Sequence, residues 1–123
     1  PTVVEVVKKH GLQSRLFFSS FFANNLKKAR LLLPEVPRGL LTMPGLMGLW
    51  GRTLGWRGDY AALNPYMTDV NAGLVYKIHA AGISVNVWTV NTEAEIKRMI
   101  GLSVDGIITD DPAMALRLLG RAK

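Results

Sequence analysis

Cysteine is absent from this 123-residue chain, which excludes disulfide staples, thiolate metal sites and cysteine nucleophiles together. Histidine is scarce, at two residues, and acids number nine against fifteen Lys and Arg. No run of about 18 apolar residues escapes a charge, Gly or Pro, so the sequence offers no membrane-spanning helix. The N-terminal stretch 1–10 lacks a basic segment followed by an apolar one and a cleavage site, so it does not read as a secretory signal. With no thiols to protect and no export signal, the chain is expected in the cytoplasm. Twelve Gly, six Pro and 49% hydrophobic residues are ordinary proportions, which excludes disordered, collagen-like and low-complexity chains. What is present is enough apolar material for one core. The first residue is Pro rather than Met, so the chain is either trimmed of its initiator or part of something longer.

The net charge of +6 is dispersed. Lys8/Lys9, Lys27/Lys28/Arg30, Arg52/Arg57, Lys97/Arg98 and Arg117/Arg121/Lys123 fall mainly on polar faces or last turns of expected helices, where cations complement the helix dipole. There is no Arg-rich arm and no basic strand interleaved with aromatics, so no nucleic-acid partner is expected.

Along the chain, apolar strands alternate with amphipathic helices. Thr2 to Glu5 reads as a capping box opening a helix that stops at Gly11. An apolar run over 16–21 is too short for a helix and suits a buried strand. A helix then starts at Asn24 or Asn25, carries Leu26, Ala29 and Leu33 on one face, and ends at Pro34. Strands are expected over 38–43 and, more weakly, 60–66. Thr68 is the expected cap of a helix whose Val70, Leu74, Ile78 and Ala81 form one stripe, closed by Gly82. The strongest strand is 83–90, β-branched and aromatic. A second capping box, Thr92 to Glu95, opens a helix with Ile96, Met99 and Ile100 inward. A last strand over 104–109 leads to a helix with Asp111 at its N-cap and Pro112 at N1. This rhythm argues α/β architecture with parallel strands and outer helices. In a (βα) barrel the C-terminal strand ends carry the chemistry.

Several segments then read together: Ser19-Ser20-Phe21, Leu26-Lys27-Lys28-Ala29-Arg30, 34–41, His79-Ala80-Ala81-Gly82, Val85-Asn86-Val87-Trp88-Thr89-Val90-Asn91, and 105–112. In this order and spacing the chain resembles the C-terminal half of the glycerophosphodiester phosphodiesterase family, over roughly 12–119. The most specific parts are Trp88 to Asn91 and the segment from Gly106 to Pro112. Residues 44–59, rich in Gly and Trp, match least.

The resemblance implies one half TIM-like barrel domain over 1–123. The full family barrel hydrolyses glycerophosphodiesters to an alcohol and glycerol 3-phosphate, within lipid and glycerol metabolism. It implies a divalent metal, calcium or magnesium, held by carboxylates, and paired histidines for acid-base work. The family carries these on earlier strands: an H-R-G ending, an E-x-D pair, a second His and an E-x-K strand. None of those strands is present here. Expected partners are therefore a glycerophosphodiester substrate in the complete enzyme, and either a second copy or the missing N-terminal half to close the barrel. The chain alone is expected to be inactive. The alternative is a non-catalytic half-barrel that binds or interacts without turnover.

No catalytic or metal residue is assigned within the chain. His10 ends a helix rather than a strand, and His79 lies in a last helical turn; both read as structural. Asp110-Asp111 is the adjacent carboxylate pair at a strand end, with Asp111 explained as a helix cap. Asp69, Glu93 and Glu95 fall in first helical turns. For substrate binding, Trp88 and Phe21 are expected to wall the pocket, with Ser20, Asn64 and Asn91 able to hydrogen-bond a phosphate or diol or to cap the following loops. The segment 44–58 reads as a helix and loop packed on the barrel; the alternative is an interfacial patch led by Trp50 and Trp56 that meets lipid.

Overall fold

The computed structural model describes residues 2–121. Five strands, β1 (Phe18–Ser20), β2 (Arg38–Thr42), β3 (Ala62–Pro65), β4 (Ser84–Val87) and β5 (Gly106–Ile107), lie in sequence order in one sheet. Every neighbouring pair is parallel. Helices α1 (Val3–His10), α2 (Ala23–Leu32), α3 (Leu49–Thr53), α4 (Ala72–Ala80), α5 (Glu93–Gly101) and α6 (Pro112–Leu118) precede, connect or follow them. Sequential parallel order with a crossover after each strand is the pattern of part of a βα barrel.

Strand alternation separates two faces. Leu40, Leu63, Val85 and Val87 point to the helices, where they bury against Leu26, Val75, Ile78, Ile96 and Met99. Each such side chain contributes about 1.5–3 kcal/mol by leaving water, so this layer holds the chain together. A smaller cluster of Val7, Leu33 and Val36 seats α1, with Leu12 and Leu16 against it. The opposite, concave face carries small and polar residues such as Gly39, Asn64, Asn86 and Gly106, together with Leu41. An added Cβ on Gly39 would meet the Phe17 ring at 2.6 Å and Asn64 Oδ1 at 3.0 Å, and one on Gly106 would overlap the Asn86 amide. Among the described residues, β1 and β5 each pair on one side only.

The helix starts show where local sequence ruled and where it did not. The Thr2 capping box forms in both directions: Glu5 N–H donates to Thr2 Oγ1 at 3.3 Å, and Thr2 N–H to Glu5 Oε2 at 3.2 Å. Gly11 takes the left-handed conformation expected of a helix stop. Asp111 accepts from Met114 N–H at 3.0 Å as N-cap of α6. For α5, Thr92 Oγ1 accepts from Glu95 N–H at 3.3 Å.

Two expected starts are displaced. α2 begins at Ala23, with Phe22 in the cap position and no side-chain cap, rather than at Asn24 or Asn25. Ser20 Oγ instead accepts from Phe22 N–H at 3.0 Å and turns the chain into the helix early. α4 is capped by Asn71, which accepts from Leu74 N–H at 2.8 Å, not by Thr68. Thr68 lies in a separate 3-10 turn, Met67–Asp69, and Val70 is buried in the core ahead of the helix. The strands are shorter than their expected runs, at both ends except for β2, which starts at Arg38 as expected and stops at Thr42.

Segment 44–58 folds as a 3-10 turn (Gly45–Gly48), α3 and a second turn (Gly55–Arg57). Arg52 fastens it. Its Nη1 donates to Met43 O at 3.0 Å and to Asp69 Oδ2 at 3.1 Å, and its Nη2 to Gly45 O at 2.8 Å. Gly48 is required here, since a Cβ would collide with Met43 O and Arg52. Trp56 is 5% exposed and belongs to the core. That corrects its place in the lipid-facing alternative, because its ring packs inward while Trp50 stays 61% exposed.

Candidate functional site

Because all five strands run the same way, their C-terminal ends, Ser20, Thr42, Pro65, Val87 and Ile107, open on one side of the sheet. The residues just past those ends form the site.

Trp88 follows β4 and is half-buried. Its Nε1–H donates to Asn64 O at 2.9 Å, and its backbone N–H donates to Pro65 O at 3.2 Å. Tyr66 packs edge-on against it at 4.9 Å between centroids, and Phe21 does so at 5.5 Å. Phe21 leaves from β1, with β2 and β3 lying between it and β4. In a flat sheet those strand axes would stand about 14 Å apart. Direct ring contact therefore requires the sheet to curl toward this face, which makes the three rings a wall across a concave mouth.

Beneath the rings, Asn64 is 1% exposed, and its Oδ1 accepts from Asn86 Nδ2 at 3.3 Å. This amide pair fills the inner layer between β3 and β4. Ser20 Oγ is engaged with Phe22 N–H, as described, but keeps its own proton to donate.

Asn91 is engaged through both amide atoms. Its Nδ2 donates to Asp110 Oδ2 at 2.8 Å, while its Oδ1 accepts from Thr109 Oγ1 at 3.2 Å and Asp110 N–H at 2.9 Å. Thr109 Oγ1 accepts in turn from Asp111 N–H at 3.0 Å. This lattice ties the loop leaving β4 to the loop leaving β5. The structure thus brings Phe21 and Trp88 into contact and places Asn64 below them, while Asn91 and Ser20 hold the loops that frame the mouth.

Two further residues of this region, Tyr66 and Asn86, carry little signal in the sequence, whereas Asp110 stands out there as half of the adjacent carboxylate pair at a strand end. Tyr66 is the last residue of an expected strand and Asn86 alternates with Val85 and Val87, so strand phase alone points to them.

Among the described residues, no group of three or more His, Asp or Glu converges as a metal site would need. Asp110 is held by Asn91 and Asp111 caps α6. The residues of this chain therefore do not by themselves fit a divalent cation.

A perturbed titratable pair lies at the other end of the strands. Asp105 Oδ2 accepts from Val85 N–H at 2.7 Å and meets His79 Nε2 at 2.7 Å. Burial is the largest single influence on Asp105 and pushes its carboxyl upward. The Val85 N–H, the His79 hydrogen bond and the His79 charge together outweigh it, leaving the group below its ordinary value. This pair joins α4, β4 and the start of β5. It belongs to the face of a βα barrel associated with stability.

A family model described as the glycerophosphoryl diester phosphodiesterase family matches residues 1–114. A glycerophosphodiester phosphodiesterase of Caldanaerobacter subterraneus is 31% identical over 117 residues, covering 95% of this chain and 47% of the relative. A putative glycerophosphoryl diester phosphodiesterase of Silicibacter pomeroyi superposes with a TM-score of 0.83 at 29% identity, covering 95% of this chain and 41% of that one. A phosphodiesterase of Oleispira antarctica, in complex with the product sn-glycerol-3-phosphate, gives 0.79 at 30% identity, covering 95% of this chain and 47% of that one. The chain spans about half the length of the relatives it matches.

Proposed function

The chain belongs to the glycerophosphoryl diester phosphodiesterase family, and we propose that it supplies one side of the substrate mouth of a barrel that hydrolyses glycerophosphodiesters. The observation that carries this reading is the ring wall of Phe21, Trp88 and Tyr66 at the C-terminal strand ends. Apolar ring faces and edges of this kind pack against the carbons of glycerol or of an alcohol head group. In the reaction, water oxygen bonds to phosphorus, the bond from phosphorus to the departing alcohol oxygen breaks, and that alcohol takes a proton.

The chain's own residues bind and orient. Trp88 is held by Asn64 O and by its two ring neighbours, so it presents one fixed surface. Asn91 ties the loop leaving β4 to the loop leaving β5, and the Ser20 hydroxyl has a proton free for a phosphate oxygen. The divalent cation implied by the family would stabilise phosphoryl charge. Since the carboxylates here are otherwise engaged, its ligands and the acid-base histidines would come from the portion of the relatives' length that this chain does not span.

The test is complementation. The chain is mixed with the separately expressed N-terminal half of the Caldanaerobacter relative, with calcium or magnesium, and glycerol 3-phosphate release is followed. Turnover by the mixture and none by the chain alone is expected, with Trp88→Ala raising KM more than it lowers kcat. An assembled complex without turnover would favour the non-catalytic interaction module.

A further inference from the structure

Leu46 and Met47 are 87% and 81% exposed, and Trp50 beside them is 61% exposed. Exposed apolar side chains at the sheet edges, such as Ile108 at 44%, have a simple account in the half-length of the chain. The 46–50 tip does not, because it follows β2, which is flanked on both sides by β1 and β3.

The tip is also held in place. Arg52 and Asp69, with side chains only 12% and 16% exposed, grip it through Met43 O, Gly45 O and Gly45 N–H. The Trp50 ring lies over Gly55, where a Cβ would come within 2.5 Å of it. A fastened turn that holds two long apolar side chains in water has no core to serve. Its shape is a projection rather than a groove. The depression beside it, about 90 Å³, is bordered by Phe21, Met47 and Trp50, which places it next to the substrate mouth.

On its other flank, Trp50 shares a cleft of about 490 Å³ with Lys27 and Arg57. Neither cation forms an ion pair among the described residues, whereas Arg30 and Arg38 in the same cleft are engaged by Asp59. Arg57 lies over the Trp56 ring at 5.5 Å but, like Lys27, meets no acid among the described residues. An apolar projection bordered by such cations is complementary to an anionic lipid surface: the side chains enter the acyl boundary while the cations meet head-group phosphates.

We propose that the Leu46–Met47–Trp50 tip docks this chain on anionic lipid, with the substrate mouth turned toward the bilayer. The orientation of the mouth rests on the function proposed above; the docking itself does not, and it is tested without substrate.

The 123-residue chain is sedimented with vesicles of phosphatidylglycerol and phosphatidylcholine in equal parts, and with phosphatidylcholine alone. Binding is expected to the mixed vesicles, weakened by salt and reduced at least tenfold by Leu46→Asp with Met47→Asp. Those replacements sit in solvent and leave the core intact. Ile108→Asp, on the concave face, should bind like the unaltered chain. As a check independent of charge insertion, brominated lipid should quench the fluorescence of the unaltered chain and not that of Trp50→Phe.

The proposal is overturned if the unaltered chain does not bind, if the double variant binds equally, or if Ile108→Asp loses binding to the same degree. It is also overturned if, without lipid, the chain is a dimer by analytical ultracentrifugation that the double variant converts to monomer.

Discussion

Breaking the Arg52–Asp69 contact tests how the site's rim is built. In Arg52→Ala, the guanidinium bonds to Met43 O, Gly45 O and Asp69 Oδ2 vanish together. Asp69 is left facing the Gly45 N–H with a side chain 16% exposed. Hydrogen bonds to charged groups contribute about 1.5–3 kcal/mol each when removed, and orphaning a buried ion costs about 3–5 kcal/mol. Because both side chains retain some contact with water, and the turn can relax, the expected loss is about 2–3 kcal/mol.

Asp69→Asn should cost less, about 1 kcal/mol, since an amide oxygen can still accept from Gly45. The pair is then read as a double-mutant cycle in urea, with a coupling energy of about 1–2 kcal/mol. Arg52→Lys keeps the charge but loses the fork that reaches two carbonyls, so it should recover less than half of the loss. Added salt should change the coupling little, because the contact is largely shielded. Additive single effects, or a coupling abolished by moderate salt, would show that the turn is not held by this contact, and the argument for a fixed rim would fail.

Asp105, held below its ordinary value of 3.8, contributes stability that is complete above that pH and is lost as pH falls through the lower folded value. The urea midpoint should therefore drop more steeply below pH ~4 in the unaltered chain than in Asp105→Asn. Asp105→Leu should cost about 1–3 kcal/mol at neutral pH, because the buried Val85 N–H loses its acceptor; a midpoint within error of the unaltered chain would refute that role. Trp88→Phe keeps the ring contacts and removes the donor to Asn64 O, for a loss of about 1 kcal/mol, whereas Trp88→Ala should lose about 2–4 kcal/mol by denaturant titration. Asn91→Ala removes the bonds between the two loops and should speed amide exchange of Asp110 by roughly tenfold, with little change in exchange across β4.

How much of this was legible before the fold depended on the range of the interaction. Thr2, Gly11 and Asp111 act within four residues of themselves, so their chemistry is written in adjacent sequence and the structure follows it. The strand and helix alternation was legible for the same reason, since Val85, Val87, Ile96 and Met99 declare their period locally. α2 and α4 started elsewhere because side chains with equal local claims competed. Ser20 turned the chain before Asn24 could cap it, and Asn71 capped a helix that Thr68 was equally suited to open. Trp56 shows the limit more plainly. Trp50 and Trp56 look alike in composition, yet one is buried and one exposed, and only the packing of the 44–58 segment on the sheet decides which. The Asn64–Asn86 and Asn91–Asp110 contacts lie 22 and 19 residues apart, so no local pattern could announce them.

The acidic residues carry the argument about chemistry furthest. Of the nine, Glu5 and Asp111 cap helices. Asp59 is taken by Arg30 and Arg38, Asp69 by Arg52, and Asp105 by His79. Glu93 pairs with Lys97, and Asp110 with Asn91. Of the remaining two, Glu35 is exposed just before β2 and Glu95 lies in the first turn of α5; neither stands at a C-terminal strand end. With Asp69 on the rim taken by Arg52, Asp110 is the one carboxylate at the mouth among the described residues that neither caps a helix nor pairs with a cation, and a single carboxylate cannot hold a cation that takes six or more oxygens. Freeing it makes a discriminating variant. If Asn91→Ala raised the calcium affinity of the complemented enzyme, Asp110 would have been a ligand held in reserve. If the affinity is unchanged while the loops loosen, the carboxylate is structural and the metal is gripped wholly from the other half. The bonds that Asp110 makes to Asn91 through Oδ2 and its backbone N–H favour the second outcome, because they already give this carboxylate a place in the lattice that joins the two loops.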